Sequence, residues 1–128
     1  MANSNSNAKG ESNSLFNLKV VTFNCNGLAD AIKRKVLLSR FQNGQYDVIC
    51  LQETHILKDK IINEIIDKWE GVVHLCKGTG RGKGLISLFH HKYNNNTLTE
   101  VTKTERVLVS AINIESELIL CDKCVCPF

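Results

Sequence analysis

The chain changes character at Leu18. Before it, residues 1–14 read MANSNSNAKGESNS, with nothing apolar beyond Met1 and two alanines; after it, apolar positions fall into strand-like and helix-like periods. LKVVTF, residues 18–23, is apolar and β-branched and predicts a strand, and the NCNGLA that follows carries a turn signal. DAIKRKVLLSRFQNG, residues 30–44, puts Ile32, Val36, Leu37 and Phe41 on one helical face and ends at Gly44, a candidate C-cap. A second strand runs from Tyr46 to Gln52. It leads into a second amphipathic helix, with Ile61, Ile62, Ile65, Ile66 and Trp69 at helical spacing and Asp59 as candidate N-cap. Beyond this helix GVVHLC, GLISLF, TLTEVT, RVLVSAINI and ELILC predict strands joined by Gly-rich, Asn-rich or short charged turns. The order β-α-β-α followed by a β meander predicts a layered α/β or α+β domain.

Composition changes this picture little. The 128 residues are 43% hydrophobic and 23% charged, which is globular, and residues 1–14 are polar enough to stay solvated and disordered. No stretch approaches the roughly 18–20 apolar residues of a membrane span, and the N-terminus lacks the basic-then-apolar layout of a secretory signal. Cys25, Cys50 and Cys76 each lie in or beside an apolar run, where a free thiol packs as a small hydrophobe. The expectation is a reduced, intracellular protein, nuclear or cytoplasmic and not secreted. A formal charge of +3 is compatible with a polyanionic partner and does not require one.

Three motifs weaken on inspection. GTGRGKG, residues 78–84, has the glycines of a phosphate loop, but Lys83 is followed by Gly84 and a strand, where such a loop needs Ser or Thr and a helix. A hairpin with two exposed cations, Arg81 and Lys83, is the simpler reading. CDKCVC, residues 121–126, has a C-x-x-C spacing, but a structural zinc needs a second ligand pair, and His90 and His91 lie about thirty residues upstream. No zinc is expected. IKRK, residues 32–35, gives three cations early in the first helix; they matter only where the helix N-terminus faces a phosphate, so that cations and backbone N–H groups act together.

FNCNGL and LQETH are the strong pair. One strand ends at Asn24 and Asn26, the other at Glu53. Parallel strands joined by one helix deliver their C-terminal ends to the same sheet edge, where ligands bind. A carboxylate there is a hard oxygen ligand suited to Mg²⁺, and a neighbouring Asn amide can orient it.

TFNCNGL, an amphipathic helix, YDVICLQETH, a second helix ending in Trp, then GKGLISLF and RVLVSAINI resemble the first half of the endonuclease/exonuclease/phosphatase superfamily. Within it they look most like the apurinic/apyrimidinic-type endonuclease domain of LINE-type retrotransposons. The likeness spans about Leu18 to Leu120. It implies a four-layer α/β sandwich, two sheets face to face with helices outside, of which this chain would carry the first half, over residues 15–121. It implies cleavage of DNA phosphodiesters with Mg²⁺ or Mn²⁺. Glu53 matches the family's metal ligand, and Asn24 matches the Asn that supports the site. Asn26 stands at a second polar site position, Lys33 and Arg34 where family members touch DNA phosphates, and His55 near the substrate.

The departures lie toward the C-terminus. The family's Asn-x-Tyr-x-Pro strand, aligned on Pro127, would place Lys123 and Val125 where Asn and Tyr belong, and no Asp-x-Asn or Asp-His pair occurs anywhere. Residues 122–128 therefore read as a divergent end of a truncated copy, and the metal is expected to be held loosely. The alternative is a catalytically inactive remnant that binds nucleic acid weakly. An uncovered sheet face would favour self-association.

Overall fold

The computed structural model describes residues 18–78, 83–103, 107–114 and 117–124. The Asn/Ser-rich stretch 1–14, most of the 78–84 glycine loop with Arg81, and residues 125–128 of the chain end lie outside the described residues. The elements, in order, are β1 (Val20–Asn24), α1 (Ala31–Asn43), β2 (Val48–Gln52), α2 (Asp59–Lys68), β3 (Val73–Cys76), β4 (Leu85–Phe89), β5 (Leu98–Lys103), β6 (Val107–Ile114) and β7 (Glu117–Cys124).

Two sheets result. The first has the order β1-β2-β4-β3, and the second is an antiparallel meander, β5-β6-β7. β1 and β2 run parallel, with Val20 opposite Val48 and Asn24 opposite Gln52, as one helical crossover requires. β4 lies antiparallel to both β2 and β3.

Strand alternation divides the core in two. Ile49, Leu51, Ile86 and Leu88 face the helices and pack with Leu38, Phe41, Ile62, Ile65 and Trp69. Val48, Cys50 and Phe89 face the second sheet and meet Leu98 and Ile112, while Cys76 and Leu85 meet Leu108. Each such fully buried side chain contributes roughly 1.5–3 kcal/mol. One polar pair crosses between the sheets: His74 Nδ1 on β3 lies 2.7 Å from the buried Ser110 Oγ on β6. This is a mixed α/β fold in helix–sheet–sheet layers, a partial form of the expected sandwich. The three described thiols, Cys25, Cys50 and Cys76, are buried.

Both helices depart from the faces their sequences suggest. α1 turns Arg34, Leu38 and Phe41 inward, whereas Ile32 is 75% and Val36 54% exposed. The cause is Arg34. Its guanidinium donates to the carbonyls of Leu28 and Ala29, each at 2.9 Å, and pairs with Glu64 of α2 at 2.7 Å. That buried tie sets the rotation of the helix against the pull of two aliphatic side chains. Gly44 does cap α1, donating its N–H to Arg40 and Phe41 carbonyls, in an extended rather than left-handed conformation. In α2, Ile62, Ile65 and Trp69 are buried and Ile66 is exposed. Its N-cap is Lys58, without a side-chain cap, and Asp59 sits in the first turn and pairs with Lys77.

Candidate functional site

The C-terminal ends of β1 and β2 continue as neighbours past the last strand residue. Cys25 N–H donates to Gln52 O, Gly27 N–H to Glu53 O and Leu28 N–H to Thr54 O, each at 2.8 Å. On the other flank Thr54 N–H donates to Gly84 O at 3.2 Å and His55 N–H to Lys83 O at 3.0 Å. The Glu53–His55 tip is thus bonded on both sides, to the loop before α1 and to the base of the β3–β4 hairpin. This is a rigid arm presenting a carboxylate.

Its backbone is held in an uncommon shape. Asn26, Glu53 and His55 have φ of 50°, 51° and 58°, in the left-handed region that L-residues other than Asn avoid. Gly27, at φ 95°, leaves room for the His55 ring, since a Cβ there would stand 3.2 Å from Nδ1. Gly84, at φ 119°, lies against the buried Thr54, whose hydroxyl a Cβ would strike. Strain of about 1–3 kcal/mol per such residue is tolerated where the surroundings over-determine the conformation, and it clusters at functional sites.

The expected residues arrive at this edge unequally. Asn24 is exposed, and its Oδ1 accepts from Asn26 N–H at 3.0 Å, which braces the turn. Asn26 is exposed beside it. Glu53 is part-exposed, with Oε1 3.9 Å from His55 Nε2. No hydrogen bond among the described residues joins Asn24 to the Glu53 side chain. Lys33 reaches back from α1 and donates to the Cys25 carbonyl at 2.6 Å, so its ammonium stands at the strand end. Burial pushes the Cys25 thiol up to about 12, with Lys33 opposing, so the thiol is no nucleophile.

Arg34, expected with Lys33 on a phosphate-facing surface, is 6% exposed and its guanidinium is committed to protein partners. The helix N-terminus is also taken: Asp30 Oδ1 accepts from Ile32 and Lys33 N–H at 2.8 and 3.2 Å. The cation at the edge is therefore presented as a side chain, by Lys33, rather than together with helix N–H groups.

Sequence patterns missed Thr54, Gly27 and Gly84 as supports of the tip. The signal existed in G-K-G before the LISLF strand and in the Gly of NCNG. Their relevance depends on loops brought together across the sheet.

As for a divalent ion, a part-exposed carboxylate on the strand ends that also carry an exposed Asn fits Mg²⁺, which keeps most of its waters. Among the described residues no group of three His, Cys, Asp or Glu could enclose a metal. The model of the Endonuclease/Exonuclease/phosphatase family matches residues 21–105, from β1 to the end of β5. No curated protein matches the chain.

Proposed function

Because the chain belongs to the endonuclease/exonuclease/phosphatase family, a family of nucleases and phosphatases, we propose that it carries the metal-carboxylate side of a DNA endonuclease site of the LINE retrotransposon type. The observation that supports this most is the shared edge of β1 and β2, with Asn24 and Glu53 one register step apart. Glu53 would hold Mg²⁺ or Mn²⁺, with Asn24 beside it. When bound there, the ion would supply Lewis-acid polarisation at the phosphodiester. Lys33 offers charge to the phosphodiester backbone, Asn26 offers hydrogen bonds, and the bonded backbone of the tip keeps Glu53 from drifting.

A second reading is a non-catalytic nucleic-acid binder. It draws on the described residues, among which no group of three His, Cys, Asp or Glu could enclose a metal. Plasmid nicking by the purified chain in Mg²⁺ and Mn²⁺, beside Glu53→Gln, separates the two. The endonuclease reading expects metal-dependent nicking that disappears in Glu53→Gln. Its rate should fall about 10²–10⁴-fold below that of a site with a positioned acid–base group, the usual worth of such help. Nicking that persists in Glu53→Gln overturns the assignment of Glu53. Salt-sensitive DNA binding without nicking establishes the second reading.

A further inference from the structure

We propose that His55 is a positioning residue for Glu53, an inference that rests on the reading of Glu53 as metal ligand. The place of His55 two positions after Glu53 leads one to expect, from the sequence, that it touches nucleic acid or solvent. The geometry points to the carboxylate two residues away.

The ring is confined. On one side it lies on Gly27, whose missing Cβ would stand 3.2 Å from Nδ1, and the backbone N–H of His55 is bonded to Lys83 O. The intervening Thr54 is 1% exposed and anchors the tip from inside. Within this seat Nε2 is shielded from solvent and has no hydrogen-bond partner among the described residues. Buried polar atoms without partners are rare and demand an explanation.

One acceptor is within reach. Glu53 Oε1 lies 3.9 Å away, and a side-chain shift of about 1 Å brings it to hydrogen-bonding distance. With Nε2–H donating to Oε1, the carboxylate has one oxygen fixed and the other left for the ion. Such outer contacts orient metal ligands, and removing one commonly costs 10–100-fold in metal affinity. The left-handed φ at both Glu53 and His55 makes the pairing possible, since it turns the chain at each of these residues.

Two measurements on the full chain test this. The first is the imidazole ¹⁵N–¹H NMR spectrum of wild type and Glu53→Gln. The expected result is His55 protonated at Nε2, with that resonance displaced in Glu53→Gln. An Nε2 resonance indifferent to Glu53→Gln overturns the inference. The second is Mn²⁺ affinity, read by the electron paramagnetic resonance of free Mn²⁺. His55→Phe should lower affinity 10–100-fold with an unchanged circular dichroism spectrum, and His55→Gln, which keeps a donor, should recover part of the loss. Wild-type affinity in His55→Phe overturns the inference. Should His55→Phe fail to fold, the NMR comparison, which alters only Glu53, decides. Affinity that survives Glu53→Gln sinks the metal-ligand reading itself, while the displaced resonance still reports whether His55 orients the carboxylate.

Discussion

β2 has a carboxylate at each end, and the two live in different worlds. Asp47, just before the strand, has a side chain only 7% exposed. It accepts from Lys19 N–H at 2.8 Å and from the Tyr93 hydroxyl at 3.0 Å, and it pairs with Lys92 at 2.7 Å. Glu53, just after the strand, is 39% exposed, and among the described residues its one charged or ring contact is His55, at 3.9 Å. Asp47 is saturated by its own protein. It ties the chain entering β1 and the turn after β4 to the start of β2. Glu53 sits on strained backbone with its oxygens unspent. One carboxylate serves stability, and the other is available for chemistry.

The largest expected effect follows from breaking the saturated end. Asp47→Ala leaves a backbone N–H, a hydroxyl and an ammonium without their acceptor, and should cost about 2–4 kcal/mol in urea unfolding. Glu53→Gln should change stability by less than about 0.5 kcal/mol, the range of substitutions away from buried features. Equal losses at the two ends would erase the contrast.

The cations repeat the contrast at somewhat smaller scale. Arg34→Met, which keeps the bulk and removes the buried donors, should cost about 1–3 kcal/mol by leaving two carbonyls and Glu64 unpaired. Its effect on the salt dependence of DNA binding should be nil. Lys33→Met should do the reverse, reducing the slope of log affinity against log salt by about 0.9 for the one phosphate contact it removes, with little loss of stability.

Acidification probes the same division. Burial alone would raise the Asp47 carboxyl, but the Lys19 N–H, Lys92 and Tyr93 outweigh it and hold it below its ordinary 3.8. Its contribution is therefore whole above about pH 4–5, and is lost as the pH falls through the depressed folded value. The stability gap between wild type and Asp47→Asn should be flat from pH 7 to 5 and shrink only below that.

His74 titrates earlier. Burial between the sheets holds it below its ordinary 6.5, with Lys103 adding to the effect and Glu100 opposing. The folded state favours the neutral ring, so its contribution is present above about pH 6.5 and fades as the pH drops toward the lower folded value. Wild type should lose stability between pH 7 and 5, and His74→Phe should flatten that slope.

The smallest effect sharpens the functional end. Asn tolerates the left-handed region better than Glu, so Glu53→Asn should gain up to about 1 kcal/mol while abolishing metal binding. A loss of stability would mean that the tip is not strained.

Local pattern determined much of this protein. The β-α-β-α-β order, the parallel β1–β2 pair implied by one helical crossover, and the placement of Asn24 and Glu53 at a common edge were legible in runs such as LKVVTF and DVICLQ. Periodicity and turn chemistry act over a few residues, and the strand ends follow from them. Tertiary structure decided the rest, because it depended on residues far apart in sequence. The rotation of α1 answered to Glu64, thirty positions from Arg34, rather than to Ile32 and Val36. The capture of Asp47 needed Tyr93, forty-six positions away. The shape of the Glu53–His55 tip needed Gly27 on one side and Gly84 on the other. A sequence states which groups can bond; only the folded chain decides which of them are already bonded, and so which carboxylate remains free to act.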